Sequence, residues 1–247
     1  MSSDASSEGV ISSVVREGVT HIGWSRAQKK NAFNSALAVQ LASAISTAAV
    51  REECAVIELS AEGSVFCAGW DLDEIRDVQS KGRDAALSMI QTGRRVYDAM
   101  DASDAIVVAV VNGPVFGFGV GMLCHADVVI AREGATIGLP ELKAGVVPAS
   151  VLADLIGAVG PKLALKWCTD GRVAPHEALA SGLISAYVPA TDLESTVAGI
   201  VEPLTSVHVP SLRATKKLAR DMKEMNPMTR RAYGEKSSVD HLVSDHG

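Results

Sequence analysis

The sequence lacks a basic excess and a cysteine pattern. It carries 23 Lys and Arg residues against 29 Asp and Glu residues, a formal net charge of −6. A protein that neutralises nucleic-acid phosphates needs a basic excess or a basic face, so we expect no nucleic-acid partner. The four cysteines lie far apart, with neither CxxC pairs nor the spacing of a metal site. We therefore expect reduced thiols, no disulfide and no metal, as is usual in the cytoplasm.

Signals for export and for membrane insertion are also missing. Residues 1–9 are polar and include acidic residues, with no apolar segment, so we expect a short disordered tail rather than a signal peptide. One uncharged run of 20 residues, 105–124, is as long as a membrane-spanning helix, but one Pro and four Gly interrupt it and no second run accompanies it. We expect no membrane partner and a cytoplasmic location.

The chain does contain alternating apolar runs and helical patterns, and its 47% hydrophobic content suffices for a substantial core. The runs Val10–Val15 and Val19–Trp24 flank Glu17-Gly18 and predict a hairpin. A long amphipathic segment, 35–50, predicts a helix capped by Asn34 or Ser35. Further strands are predicted at 54–59, 106–111, 128–131 and 182–188. Further helices are predicted at 83–100, 120–125, 151–156, 161–168, 175–180, 192–201 and 211–225, and another starts at 71. A loop is predicted at 135–148, and Pro203 and Pro210 lie in a break between the last two helices.

No repeat of solenoid period and no long linker is present, so we predict one α/β domain with a helical C-terminal extension beginning near 188–190. Inside the run 105–131, an apolar strand breaks at Asn112-Gly113-Pro114 and leads through Gly117, Gly119 and Gly121 into a helix. A helix start of this kind presents unpaired N–H groups, which attract developing negative charge.

This glycine turn matches neither common phosphate-binding motif. Met122 stands where GxGxxG needs its third glycine, and no GK[ST] of a P-loop follows. The segment Ser64–Leu72, read with the strand before it, repeats the order of strand, Gly turn and helix. Two such turns side by side could each aim one backbone N–H at a single oxyanion.

These two segments resemble those of the crotonase family, the enoyl-CoA hydratase/isomerase superfamily. The likeness extends to residues 29–33, 137–141 and 177–184, so it covers most of the chain in the order found in the family. The two principal motifs are Ala61-x-Gly63-x-x-Phe66-Cys67-Ala68-Gly69-x-Asp71-Leu72 and Asn112-Gly113-x-x-x-Gly117-x-Gly119.

The resemblance implies a crotonase-like α/β spiral of ββα units, with a core at 10–189 that holds the acyl-CoA site. It implies that 190–247 forms a helical trimerisation region, and that the chain assembles as a homotrimer or a dimer of trimers. The substrate would be a coenzyme A thioester in fatty acid metabolism, with no other cofactor and no metal.

The resemblance also assigns roles to individual residues. The N–H groups of Trp70 and Phe118 would form an oxyanion hole, and Glu141 would be catalytic. Hydratases of the family use two glutamates, and the position of the other one is filled here by Gly121. One carboxylate suffices to move a proton between two carbons, so we predict an enoyl-CoA isomerase. A hydratase or lyase that uses Glu141 alone, and a catalytically silent acyl-CoA-binding subunit, are the alternatives.

The same carry-over places the adenine and pantetheine of coenzyme A against the backbone of residues in the first turn and in the segment before the first helix. These are Lys30, Ala32, Ala68 and Leu72, with Gly69, Asp71 and Gly117 also in the substrate-binding surface.

Several residues keep two readings. Glu141 could instead pair with Lys143 or cap a nearby helix, and the rings of Trp70 and Phe118 could line the acyl pocket or point into the core. His125 could be a substitute base or a core histidine, and Asp73 and Glu74 could be pocket acids or ordinary first-turn acids. The basic residues could be phosphate ligands or solvated cations: Lys29, Lys30, Lys216, Lys217 and Arg220. If the space beside Gly121 is vacant, Gly121→Glu should raise hydratase activity.

Overall fold

The computed structural model, which describes residues 9–244, places the predicted hairpin at the edge of a six-stranded sheet. β1 (Val10–Arg16) and β2 (Val19–Ser25) pair antiparallel, and Glu17 and Gly18 between them have φ of 48° and 80°. Gly18 adopts its positive φ at no steric cost because glycine has no Cβ. The hairpin prediction is confirmed. Of the tail predicted at 1–9, only Gly9 lies within the described residues, and it is buried.

The remaining strands form the rest of this sheet and a smaller one. They are β3 (Val56–Ala61), β4 (Ile106–Val111), β5 (Val115–Phe116), β6 (Val128–Arg132), β7 (Ile137–Gly138), β8 (Arg172–Val173) and β9 (Ala186–Val188). The large sheet has the order β1-β2-β3-β4-β6-β9, and every pair after the hairpin is parallel. The small sheet has the order β5-β7-β8.

Helices connect the parallel strands and continue beyond the last one. They are α1 (Ser35–Ala49), α2 (Leu72–Lys81), α3 (Arg83–Ala102), α4 (Phe118–His125), α5 (Ala149–Val159), α6 (Pro161–Asp170), α7 (Pro175–Ser181), α8 (Leu193–Thr205), α9 (Val209–Met222) and α10 (Pro227–Ser244), with 3-10 turns at Ala27–Lys29, Pro140–Ala144 and Ala190–Asp192. The predicted cap of α1 is confirmed, because Asn34 Oδ1 accepts from Leu37 N at 2.8 Å. Within the described residues no helix is both long and apolar enough to cross a membrane.

Some predicted boundaries were wrong. Pro203 lies inside α8 near its end, and Pro210 lies in the first turn of α9, where a missing N–H costs nothing. The predicted strand at 182–188 shrinks to β9, because Gly182 caps α7 with φ of 80°. The loop at 135–148 contains β7 and a 3-10 turn, and α10 has no predicted counterpart. Two-residue strands are too short to show an alternating pattern.

The C-terminal helices α8 and α9 pack on the large sheet instead of standing apart from it. Val197, Ile200 and Leu204 contact the cluster that includes Val108 and Ile130. Three cations of α9 bind the core: Arg213 donates to the Ala49 carbonyl at 2.8 Å, Lys216 pairs with Asp127 at 2.6 Å, and Arg220 pairs with Asp104 at 2.8 Å. The side chain of Lys216 is only 9% exposed. Lys216 and Arg220 therefore dock α9, a role that neither earlier reading included.

Candidate active site

The two predicted glycine turns lie side by side. Cys67 and Val115 form a parallel bridge, and Phe116 N donates to the Cys67 carbonyl at 2.9 Å. A Cβ placed on Gly117 would lie 3.8 Å from Gly69 Cα. The segment after β3 and the segment after β4 thus converge at this point, as the shared construction of the two motifs predicts.

In each turn, the backbone N–H predicted as an oxyanion donor has no hydrogen-bond partner among the described residues. On either side of Trp70, the Gly69 carbonyl accepts from Phe33 N at 2.8 Å and Asp71 N donates to the Phe33 carbonyl at 2.7 Å. Among the described residues, no hydrogen bond is found for the N–H of Trp70 itself. Phe118 is the first residue of α4, where an N–H has no intrahelical acceptor, and no hydrogen bond is found for this N–H within residues 9–244.

Glu141 brings a carboxylate to these turns from the 3-10 turn at Pro140–Ala144. A Cβ on Gly117 would lie only 2.7 Å from Glu141 Oε1, so glycine is required there for the carboxylate to approach. Glu141 Oε2 is buried and has no hydrogen-bond partner among the described residues, which rules out the pairing with Lys143 at this oxygen. Burial raises the pKa of Glu141 above its usual value.

The space beside Gly121 is occupied. A Cβ at this position would lie 2.6 Å from Tyr97 Cζ, and closer still to the Tyr97 hydroxyl. That hydroxyl donates to the Phe118 carbonyl at 2.8 Å, and burial raises the pKa of Tyr97 well above its usual value. The idea of a vacant space at Gly121 is wrong, because an aromatic ring from α3 fills it.

The rings of Trp70 and Phe118 pack against each other, 5.1 Å apart and nearly perpendicular. The Trp70 indole N–H donates to Glu74 at 2.9 Å, which fixes the ring. Gly93 on α3 makes room for it, since a Cβ there would lie 2.9 Å from Trp70 Cζ3. Glu74 is thus an anchor for Trp70 rather than a free pocket acid.

Both rings line a cavity of about 350 Å³ in front of Glu141. Its wall is mostly apolar and comes from α3, from the segment after Glu141 and from α5: Met89, Ile90, Val146, Val147, Pro148, Ala149 and Val151. Two charged residues that sequence reasoning missed, Arg94 and Asp154, also line it. No motif marks them, because each is one polar position in an ordinary helical pattern.

His125 lies behind Tyr97, with their rings stacked 4.8 Å apart. Its Nδ1 is 2.9 Å from Asp101, and its Nε2 is 3.4 Å from Asp154. Burial alone would lower the pKa of His125, but the two carboxylates outweigh burial and raise the pKa to about 9. His125 is therefore a cation at neutral pH, which excludes it as a substitute base.

The comparison with known proteins decides the family. A family described as enoyl-CoA hydratase/isomerase matches residues 14–246. This chain belongs to that family. The mouse protein named enoyl-CoA hydratase domain-containing protein 3, mitochondrial, is 30% identical over 94% of this chain and 77% of its own length. The 2,3-dehydroadipyl-CoA hydratase of Escherichia coli is 31% identical over 81% of this chain and 77% of its own length.

Solved structures confirm the predicted fold class of the enoyl-CoA hydratase/isomerase family. The crystal structure of human enoyl coenzyme A hydratase domain-containing protein 3 superimposes with a TM-score of 0.89 at 27% identity, covering 94% of this chain and 92% of that one. The structure described as Pseudomonas aeruginosa AtuE gives 0.87 at 25% identity, covering 96% and 92%. The crotonase-like α/β spiral with a helical C-terminal region is therefore confirmed.

The residues that the family resemblance places against coenzyme A lie in different surroundings. Leu72 and Lys30 are exposed and Ala68 is half-buried, whereas Ala32 is buried with its carbonyl accepting from Arg26 at 3.0 Å. Asp71 is also buried. Contact of these residues with coenzyme A stays a prediction.

The carboxylate of Asp71 is already engaged within the protein. It pairs with Arg26 at 2.7 Å and accepts from Asp73 N at 2.9 Å, which caps α2. Lys29 pairs with Asp71 and Asp73, so its charge is also compensated internally. These contacts of Asp71 stabilise the backbone at the end of the first glycine turn, independently of any contact with substrate.

Proposed function

We propose that this protein shifts a double bond in an enoyl-CoA through a thioester enolate. The observation that carries the proposal is the partly buried Glu141 carboxylate, whose Oε1 lies beside Gly117 and whose Oε2 has no hydrogen-bond partner among the described residues. A carboxylate in such surroundings holds a proton more readily than one in water, because burial raises its pKa. It is therefore suited both to take a proton from carbon and to return one.

In the proposed reaction, the thioester oxygen accepts hydrogen bonds from the N–H groups of Trp70 and Phe118. Glu141 removes a proton from the α-carbon of a 3-enoyl-CoA, and the electron pair moves onto the thioester oxygen as an enolate. The protonated Glu141 then delivers that proton to the γ-carbon. The carbonyl re-forms, the double bond lies between the α- and β-carbons, and Glu141 is again ionised. An oxyanion donor of this kind typically contributes about 10²–10³ in rate.

Tyr97 supports isomerisation over hydration. Addition of water calls for a second group that activates the water molecule, and Gly121 supplies none. The Tyr97 hydroxyl, which occupies the space beside Gly121, donates a hydrogen bond to the Phe118 carbonyl and has a raised pKa, so it is not a base at neutral pH. General base catalysis typically raises a reaction rate by about 10²–10⁴, so the lack of a second base strongly disfavours hydration.

The alternatives follow from other observations. The relatives named hydratases favour a hydratase or lyase that uses Glu141 alone. The missing carboxylate at Gly121 also suits a catalytically silent acyl-CoA-binding subunit.

The experiment is to incubate the protein with a 3-enoyl-CoA and, separately, with a 2-enoyl-CoA in deuterated water. We expect conversion of the first, and a loss of about 10²–10⁴ in rate in Glu141→Gln. Glu133→Gln, which changes an exposed carboxylate, is the matched control and should keep the activity. Water addition to the 2-enoyl-CoA at a comparable rate would refute the isomerase. Binding of both thioesters with neither reaction would favour the silent subunit.

We also propose that the chain assembles as a homotrimer or a dimer of trimers through residues 190–247. In support, α10 exposes Met228, Leu242 and Val243 at 82%, 73% and 74%. Leu242 and Val243 adjoin each other at the end of α10, with the exposed Val239 one turn before them, and neighbouring exposed apolar side chains are typical of interaction surfaces. Sedimentation equilibrium should give three or six copies, and Leu242→Asp should weaken the assembly; a wild-type monomer would contradict the proposal. The cytoplasmic location stays a prediction.

A further inference from the structure

Asp154 places a second carboxylate in the wall of the cavity that Glu141 faces. It lies on α5, and its side chain is only 11% exposed. The neighbouring wall is apolar, with Val151 on the same helix and Met89 and Ile90 on α3. A carboxylate in such surroundings calls for a charge partner and for hydrogen-bond donors.

His125 supplies the charge partner. It is a cation because Asp101 and Asp154 flank it, with its Nε2 at 3.4 Å from Asp154 Oδ1. This contact is long for a hydrogen bond, and His125 Nε2 makes no well-aligned hydrogen bond within the described residues. An ionised carboxylate accepts several hydrogen bonds, so one long contact leaves Asp154 able to accept more. His125 offsets the charge of Asp154 only in part, because Asp101 shares the same cation.

Arg94 is the third charged residue of the wall, beside Glu141 and Asp154. Its side chain is 64% exposed and lies 3.3 Å from Asp98. Exposed ion pairs are screened by water and contribute little. Asp154, whose side chain is only 11% exposed, is screened less than Arg94, so Asp154 and Glu141 make the inside of the cavity acidic.

We infer that the acyl pocket selects acyl groups that carry a hydrogen-bond donor such as a hydroxyl on their distal part, and disfavours those that end in a carboxylate. A hydroxyl can donate to Asp154 in a charge-assisted hydrogen bond. A methyl end supplies no donor to this carboxylate, and a carboxylate end places a second negative charge beside a side chain that is only 11% exposed. The inference rests on the proposed function in one respect, the location of the thioester at Trp70 and Phe118.

Binding of saturated thioesters tests this without any chemical step. Hexanoyl-, octanoyl- and decanoyl-CoA, each with a methyl, a hydroxyl or a carboxylate at the chain end, are titrated into the full chain by calorimetry. At one or more of these lengths, we expect the hydroxyl form to bind about tenfold more tightly than the carboxylate form, the range expected for one charge-assisted hydrogen bond. The three acyl-chain ends are compared on the wild-type protein, so this result does not depend on the folding of any variant.

Two variants then assign the effect. Asp154→Asn should reduce the preference for hydroxyl over carboxylate about tenfold, since the charge is lost while the shape is kept. Asp101→Asn is the matched control: it removes the other carboxylate partner of His125, and Asp101 does not line the cavity. It should leave the preference unchanged. Equal changes in both variants would mean that Asp154 acts only by holding His125, and would overturn the inference.

Two further results have distinct meanings. Equal binding of all three chain ends at every length would overturn the selectivity but leave the acyl-CoA assignment intact. Failure of every thioester to bind to a folded chain would refute the proposed function itself, and the selectivity with it.

Discussion

The Tyr97 ring occupies the space that a side chain at Gly121 would need, with Cζ only 2.6 Å from the position of a Cβ there. The Tyr97 hydroxyl also donates to the carbonyl of Phe118, whose own N–H is a proposed oxyanion donor. The ring therefore cannot leave without breaking a bond at the glycine turn. The packing between α3 and α4 therefore leaves no space for a larger side chain at position 121.

Gly121→Glu alone should destabilise the protein and create no hydratase. Overpacking a filled site typically costs about 1–3 kcal/mol, and burial of an unpaired carboxylate adds to this. Urea denaturation should give a lower free energy of unfolding, and an assay with 2-enoyl-CoA should detect no new water addition. Unchanged stability together with new hydration would show that Tyr97 moves aside readily.

Removing the ring should rescue that substitution. Tyr97→Ala leaves a cavity and should cost about 3–5 kcal/mol by itself, as large aromatic truncations do. In the double variant the glutamate partly refills this cavity, so the loss should be smaller than the sum of the single losses, by about 0.5–3 kcal/mol in a double-mutant cycle. Water addition to 2-enoyl-CoA should be faster in the double variant than in either single one. If the double variant instead loses the full sum of the two single losses in unfolding free energy, the side chains at positions 97 and 121 do not compete for the same space.

Asp71→Asn should affect stability more than substrate binding. Asp71 and Arg26 form a buried pair at 2.7 Å, with side chains 8% and 6% exposed. Removing one member of such a pair leaves the other uncompensated and costs about 3–5 kcal/mol. Thermal unfolding measures the loss, and KM for acyl-CoA, taken well below the unfolding transition, should change little. A large rise in KM for the folded variant would instead support direct contact with substrate.

Local signals made most of the fold predictable. The Glu17-Gly18 turn, the Asn34 cap and the prolines that open α6 and α7 each report on the backbone within a few residues of themselves. The alternation of apolar runs with helical patterns then predicts an α/β domain. The strands β5, β7 and β8 escaped prediction because two residues carry no periodicity. Only pairing with distant segments makes them strands.

Only those parts of the site that lie within the two glycine motifs, or that the family resemblance assigns, were predictable from the sequence. The convergence of the two glycine turns and the carboxylate of Glu141 beside Gly117 follow from their order in the sequence and the family resemblance. The contact of Tyr97 with Gly121 joins α3 to α4, and the contact of His125 with Asp154 joins α4 to α5. Neither pair has a spacing in sequence that marks it. Such tertiary contacts decide what fills a space, and a sequence pattern does not report them.

Glu141→Gln should make the protein less active and more stable at neutral pH. Burial raises the pKa of Glu141 above the value of 4.5 expected in the unfolded chain, so the native state binds this proton more tightly. Between 4.5 and the raised pKa, stability therefore falls as pH rises, because ionisation inside the fold is disfavoured. Glutamine is never ionised and avoids this loss. Thermal unfolding of both proteins across pH should show the advantage of glutamine growing through that window and vanishing below it.

The same titration should govern the rate, because the proton acceptor is the ionised carboxylate. For the wild type, kcat/KM for 3-enoyl-CoA should rise with pH through the raised pKa, so the midpoint should lie above 4.5. In Glu141→Gln this limb should be absent, along with about 10²–10⁴ of the rate. Glu133→Gln, with its exposed carboxylate, should keep both the limb and the stability profile of the wild type. A rate limb that persists in Glu141→Gln would assign the base to another group.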